Sequence, residues 1–332
     1  MMIEQDVYVN PEFNWLADSL YKPRKKSRTI SNSRRAEFAR CQQRWGWKYQ
    51  HGLEPKRTAH ALRFGVLVHT ALSMAYQKLN DPDAAAGIVA LDAAIKSWCV
   101  GQATESHSSG LRVNWPEVEK MASLAREICH RTMARYWEDD RSRYTLVGTE
   151  VPIRLPLRNP YGKGWSRWDF TGKIDLLLLE NSTREIHTWD HKTWGGGEGG
   201  KPSYEMGLSL SPQRIGYLWA LNHADVKSKG FFLSPSLTFN VIRKKTKSAV
   251  SLLQCKRCKG SGCADCNNTG EGAVGKRVSD TTADMYQRLA STHPHIAKAS
   301  YENHIKTLED RGDIFNFRHS AYVDRDAFDR FE

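Results

Sequence analysis

No run in the 332 residues approaches the ~18 consecutive apolar residues that a membrane-spanning helix needs. The first thirty residues carry charges with no apolar stretch of the kind a secretory leader has. Membrane insertion and secretion are therefore not expected. No repeat of solenoid length is visible, and a disulfide framework is missing as well. Of seven cysteines, Cys41, Cys99 and Cys129 are scattered, while Cys255, Cys258, Cys263 and Cys266 fall within a dozen positions. That is metal-site spacing in a reducing compartment. Acidic residues are in deficit, 37 against 49 Lys and Arg, which leaves a net charge of +12. Hydrophobic residues at 40%, aromatics at 10% and charged residues at 26% are ordinary globular values, so disordered, collagen-like and heptad-only chains are excluded. At roughly 150 residues per domain the chain makes one large or two modest folded domains.

The positive excess gathers in Lys22, Arg24, Lys25, Lys26 and Arg28, and again in Arg243, Lys244, Lys245 and Lys247. Clustered cations favour polyanions, although each cluster by itself reads equally well as solvated surface. Residues 1–30 lack sustained periodicity and end in the first cluster, so they read as a basic arm able to dock on the body. From the cap candidates Ser31 and Ser33, the residues Phe38, Cys41, Trp45 and Tyr49 fall near one helical stripe that Gly52 would close. Further helices are predicted from Gly65 to about Leu79, over about 83–99, and over about 116–138 with Pro116 in the first turn.

After Tyr144 the period changes to two. Val147, Thr149, Val151, Ile153, Leu155 and Leu157 alternate as a strand, and Pro152 with Pro156 mark it as an edge. Strands follow over about Trp168 to Leu179 and Glu185 to His191, flanking the turn-like Asn181, Ser182 and Thr183. A glycine-rich loop from Gly195 to Gly200 comes next. A helix opening at Ser211 and Pro212, strands near 230–234 and 237–242, a helical stretch over about 280–311 and a last strand over 315–323 complete the chain. Helices flanking a mixed central sheet are the natural architecture for this order.

The chemistry concentrates in Gly172-Lys173-Ile174-Asp175 and Asp190-His191-Lys192-Thr193. A hairpin centred between Ser182 and Thr183 pairs residues whose numbers sum to 365, which sets Asp175 opposite Asp190. Opposed residues have Cβ atoms roughly 4.5–5.5 Å apart, close enough for two carboxylates to share one divalent cation, and without a cation they would repel. Period two brings Lys192 to the face of Asp190. A register slipped by one residue would instead separate the aspartates and leave Lys192 on the surface.

These segments, with Cys41-Gln-Gln-Arg44-Trp-Gly-Trp-Lys-Tyr49, Phe64-Gly65-Val-Leu-Val-His69 and Gln213-Arg-Ile-Gly-Tyr217, form an ordered set over about Ser31 to Tyr217. In that order and spacing the set resembles the RecB-like branch of the PD-(D/E)XK nucleases, which includes nucleases of CRISPR adaptation and bacteriophage exonucleases. The resemblance implies an α/β, restriction-endonuclease-like mixed sheet flanked by helices, and metal-dependent hydrolysis of DNA. Exonucleolytic action on ends or single strands, in recombination, repair or phage DNA metabolism, goes with it. It implies His69, Asp175 and Asp190 as ligands of Mg²⁺ or Mn²⁺, with the His191 carbonyl completing the site. Lys192 would orient or activate water and offset the charge of the transition state. Glu150 would orient the metal-bound water or support a ligand, its alternative being a surface charge on an edge strand. Gln213 and Tyr217, four apart on one helical face, would lie beside the active site and contact nucleic acid. The setting implied is a bacterial or phage-infected cytoplasm, and a helicase or recombination partner is left open.

Cys255-x-x-Cys258 and Cys263-x-x-Cys266, joined through Gly260 and Gly262, can set four thiolates around one Zn²⁺. The first half resembles the repeats of the DnaJ zinc-binding region. The alternative, an iron–sulfur cluster recruiting Cys41, follows the RecB-like members that hold one. The expected organisation is thus an arm over 1–30 and a nuclease domain over 31–332, with a metal knuckle inserted at 250–275. The rival function is a non-catalytic nucleic-acid-binding protein working through the knuckle and the basic clusters.

Overall fold

The computed structural model describes residues 7–53, 60–109, 113–196, 200–244, 249–251, 273–275, 290–291 and 316–323. Of the stretch read as an arm, residues 7–30 are woven into the body. They supply strand β1 (Tyr8–Val9), helix α1 (Asn14–Leu20) and strand β2 (Arg28–Ile30), with Phe13, Leu16 and Leu20 buried. A seven-residue helix spans too few turns to show a periodic pattern, which is why the sequence hides it.

Ser31 caps the next helix as expected, its side chain accepting from the Arg34 amide. The single helix expected from there to Tyr49 is in fact two, α2 (Asn32–Arg40) and α3 (Gln42–Tyr49). Cys41 breaks them with extended backbone, φ −160° and ψ 106°. No residue of either helix is fully buried, so no core contact enforces one continuous stripe. Gly52 takes φ +65° just beyond α3, the left-handed conformation a closing glycine supplies. Helices α4 (His60–Tyr76), α5 (Ala86–Ser109) and α6 (Trp115–Arg143) match the expected set with shifted bounds, α4 ending before Leu79 and α5 starting after 83, and Pro116 stands in the first turn of α6.

Strands β3 (Tyr144–Arg158), β4 (Trp165–Glu180) and β5 (Glu185–Trp194) are followed by helices α7 (Lys201–Ser209) and α8 (Pro212–Asn222) and strand β6 (Phe232–Arg243). Short strands β7 (Ala249–Ser251) and β8 (Ala273–Gly275) and a last strand β9 (Asn316–Tyr322) complete the described elements. The two runs expected near 230–242 are one strand, and α7 was not foreseen. The helix expected over about 280–311 lies, apart from residues 290 and 291, outside the described residues.

The main sheet runs β1-β3-β4-β5-β6-β9, with β2 on β4. The β2–β4 and β5–β6 pairs are parallel and the others antiparallel. Helices α4 to α6 cover one face, and α1, α7 and α8 the other, each face closing its own apolar core. This mixed, mostly antiparallel sheet flanked by helices fits the restriction-endonuclease-like fold. Among the described residues, the outer side of β3 carries the two-residue β1 ladder at Gly148 and Thr149, hydrogen bonds from Asn10 to the Val147 and Leu146 carbonyls, and a bridge from Tyr21 to Arg154. Pro152 and Pro156 therefore sit where a missing amide leaves no ladder broken.

The β3 stripe is corrected at one point. Val147, Val151, Ile153 and Leu155 share one core, but Thr149 turns to the opposite face and accepts from Gln77, the residue just after α4. A bulge between Leu146 and Gly148 and the positive φ of Glu150 (+55°) break the alternation there.

Candidate metal and catalytic site

The β4–β5 ladder keeps the expected register, Leu176 with Trp189 through Leu179 with Ile186, every pair summing to 365. It ends one step short of the aspartates. Asp175 turns its Oδ2 to the His191 amide, 2.8 Å away, and this hydrogen bond takes the place of the next ladder bond. From this point each strand contributes to a different side of the site.

On the α4 side, His69 Nδ1 lies 3.1 Å from Asp175 Oδ2. The β3–β4 register sets Glu150 beside Asp175, since Thr149 pairs with Leu176 and Val151 with Ile174. Donor atoms of His69, Glu150 and Asp175 all fall within 4.8 Å of one another. The expected ligand set was His69, Asp175 and Asp190. The geometry brings Glu150 into that group, because its left-handed backbone turns the carboxylate inward, and leaves Asp190 outside it. A non-glycine residue held at positive φ costs on the order of 1–3 kcal/mol, a strain that commonly marks working sites.

On the α8 side, Asp190 and Lys192 form an ion pair through Oδ2 and Nζ, as period two requires. Gln213 clasps both. Its Nε2 donates to Asp190 Oδ1 at 2.5 Å, and its Oε1 accepts from Lys192 Nζ at 3.0 Å. The Tyr217 hydroxyl lies 2.9 Å from Gln213 Nε2. Ser211 caps α8 by accepting from the Gln213 amide, which fixes where that side chain starts. Both helical residues thus stand where their four-residue spacing places them.

Burial sets the electrostatics. It pushes the Asp190 carboxyl up to about 6, with Asp175 adding to the shift and Lys192 opposing it. Burial would raise Asp175 too, but His69, His191 and Lys192 outweigh it and hold that carboxyl well below the usual carboxylate range. Glu150 is raised by burial and by Asp175, against the pull of Lys173, whose Nζ pairs with its Oε2. Burial opposes charge on His69 and Lys192, yet the neighbouring carboxylates prevail and raise both. His191, buried between Tyr76 and Asn240, is pushed down to about 3 and is neutral.

Two buried carboxylates facing each other with an imidazole beside them are a donor set that fits a hard divalent cation, and the nitrogen ligand suits Mn²⁺ as well as Mg²⁺. Residues not singled out from sequence also belong here. Lys173 neutralises Glu150, and the signal was its place two before Asp175 on one strand face. Tyr204 of α7 stacks on Trp194 at 4.9 Å and feels the charges of Lys192 and Asp190. No local pattern announced it, since α7 itself was missed.

Gly172 admits Tyr217 over β4, because a Cβ there would stand 2.9 Å from Tyr217 Cε1. Gly172→Ala is expected to displace Tyr217 and with it the Gln213 clasp, lowering any phosphodiesterase activity about tenfold while the thermal midpoint moves by only a few degrees. Activity assay and melting of the same preparation check this.

Cys129 is buried and its thiol pushed strongly up by burial, as an inert core cysteine requires; Cys99 is half-buried and Cys41 exposed. Cys255, Cys258, Cys263 and Cys266 lie outside the described residues, but β7 and β8 pair antiparallel on either side of them, Ser251 opposite Ala273.

The sheet splays at Asp175 and Asp190, with the Lys192 ammonium beside Asp190 on β5. The chain matches the model of the PD-(D/E)XK nuclease superfamily over residues 29–314 and belongs to that superfamily. Its members are nucleases that typically use Mg²⁺ or Mn²⁺. No curated protein matches the chain. No helix among the described residues is long and apolar enough to cross a membrane.

Proposed function

We propose that this chain is a divalent-metal-dependent deoxyribonuclease of the RecB-like kind, acting as an exonuclease on DNA ends or single strands in the cytoplasm. The observation that carries the reading is the convergence of His69, Glu150 and Asp175 within 4.8 Å, with the Asp190–Lys192 pair on the next strand. His69, Glu150 and Asp175 would hold Mg²⁺ or Mn²⁺, with Asp190 adjacent. Bound there, the cation would polarise a phosphoryl oxygen and lower the pKa of attacking water.

The chain's own groups do the remainder. Asp190 and Gln213 hold the Lys192 ammonium in one position, from which it orients water and offsets charge on the phosphoryl oxygens. Tyr217 keeps Gln213 in its bridging rotamer. The His191 amide fixes Asp175, leaving its other oxygen for the metal. DNA as the substrate is supported by the superfamily and by the +12 charge. The loop closed by β7 and β8 is read as a zinc knuckle inserted at 250–275, with the cysteine spacing as its support.

Treatment with EDTA should abolish cleavage of a labelled oligonucleotide, and Mn²⁺ or Mg²⁺ should restore it. Elemental analysis of the untreated protein should find about one zinc per chain by the four-thiolate rule, retained in Cys41→Ser and lost in Cys258→Ser. Cleavage that persists without divalent metal would refute the metal-dependent reading. Iron and sulfide lost on Cys41→Ser would replace zinc by a cluster, and nucleic-acid binding with no cleavage under any metal would favour a purely binding role.

A further inference from the structure

Away from the metal site, four elements meet around a cavity of about 500 Å³ whose walls include Arg28 of β2, Arg34 of α2, Trp45 and Tyr49 of α3, and Trp168 of β4. The Arg34 guanidinium stands 5.4 Å from the Trp45 ring, 4.8 Å from Tyr49 and 5.9 Å from Trp168, and Arg28 lies 5.7 Å over Trp168. All three aromatic side chains are half-buried and Arg28 is exposed. The Arg34 Nε is buried and has no hydrogen-bond partner among the described residues. Among the described residues no carboxylate lines the cavity.

The walls are held firmly. Asp169, next to Trp168, is fully buried and accepts from Arg24 and Arg154 and from Ser27, which anchors the chain just before β2. Phe38 meets Trp45 edge-on at 5.2 Å, and Arg34 Nη1 donates to the Thr29 carbonyl at 2.9 Å. A cation–aromatic cluster serving packing alone would fill its own space, whereas this one borders an open volume within the range of ligand sites. Aromatic faces beside guanidinium groups match one chemistry well, a planar base with a phosphate next to it. Bases paired in a duplex keep their faces stacked, so only an unpaired strand can offer them.

We propose that this cavity is a second nucleic-acid site, which takes an unpaired base on Trp45, Tyr49 and Trp168 and its flanking phosphate on Arg28 and Arg34. The proposal rests on the nuclease reading and deepens it, since it makes single-stranded nucleic acid the ligand of this part of the surface. Trp168 precedes Asp175 by seven residues on β4, a span of about 23 Å at ~3.3 Å per residue. A strand running straight from the cavity to the metal site would cover about seven nucleotides at the ~3.4 Å stacked spacing, and fewer when extended.

The test is binding of a fluorescein-labelled single-stranded 20-mer and of the matching blunt duplex to the full chain in EDTA. Trp45→Ala and Trp168→Ala should each weaken single-strand binding by roughly 5- to 100-fold, the range for loss of one stacked base, and duplex binding by less than about twofold. Trp45→Phe should restore most of the affinity. Arg28→Ala, at an exposed side chain that folding does not need, should reduce the log–log salt slope for the single strand by about 0.7. Variants that melt like the parent and bind like it, or lose the same factor on both ligands, would overturn the proposal, as would an unchanged salt slope for Arg28→Ala. A parent protein that binds neither ligand would overturn the nuclease reading together with it; a parent that binds both, with unaffected variants, would overturn the cavity alone.

Discussion

Replacing Lys192 by alanine is expected to lower oligonucleotide cleavage by about 10²- to 10³-fold, the usual loss when one positioned charge-stabilising donor is removed. Affinity for uncleaved DNA should change by less than about threefold, because one ammonium is a small part of the charge of a chain whose cations exceed its anions by twelve. Asp190→Asn should behave similarly for a different reason. The amide keeps the size and the hydrogen bond with Gln213 but removes the charge that holds Lys192 in place. Single-turnover cleavage with saturating Mn²⁺, set beside fluorescence anisotropy, separates the two effects. Wild-type rates in either variant would remove the Asp190–Lys192 pair from the chemistry and leave only the His69, Glu150 and Asp175 group to be explained.

The second large effect lies behind the site. Arg318 of β9 meets Asp140 of α6 in a two-pronged ion pair at 2.8 and 2.6 Å, and the Tyr76 hydroxyl donates to the same carboxylate at 2.7 Å. Asp140 is fully buried, and Arg318 stacks over Trp189 at 4.1 Å and Tyr136 at 3.9 Å. Removing one partner strands the other charge in the core, so Arg318→Ala should destabilise the fold by about 3–5 kcal/mol. Urea unfolding would show a lower midpoint with an unchanged slope. The triple change Asp140→Leu, Arg318→Met and Tyr76→Phe should recover most of that loss, because an apolar replacement leaves no orphaned charge or hydroxyl. A triple variant no more stable than Arg318→Ala would show that the ion pair's geometry, not the stranded charge, matters. Since the Tyr76 ring packs against His191 at 5.9 Å and His191 supplies the amide that fixes Asp175, the same network supports the metal site from below.

Several of these features were readable beforehand because their physics is local. The Ser31 and Ser211 caps, Pro116 in the first turn of α6 and Gly52 after α3 each depend on backbone rules a few residues long. The β4–β5 register follows from the length of one turn and the apolar strands it joins. Lys192 beside Asp190 and Gln213 beside Tyr217 follow from periods of two and nearly four. From sequence, Glu150 reads as facing away from the β3 stripe, where the structure has it, but as a support for the water or a ligand. Its entry into the His69 and Asp175 group goes with a bulge and its own left-handed backbone, which no propensity of Thr149, Glu150 or Val151 announces. The helix break at Cys41 was hidden for a related reason, since an apolar stripe signals one helix only when a core receives it.

The sequence by itself thus determined the superfamily, through an ordered set of residues with short spacings that includes His69, Asp175, Asp190, Lys192, Gln213 and Tyr217. Only the tertiary structure decided which carboxylates share a metal-sized volume with His69, because that depends on where β4 and β5 stop pairing and on how α4 packs against the sheet. It also decided that Trp45 and Trp168, 123 positions apart in the chain, face one cavity. Contacts within one element are fixed by its repeat, whereas contacts between elements are fixed by how whole faces pack, and that information is spread over the entire core.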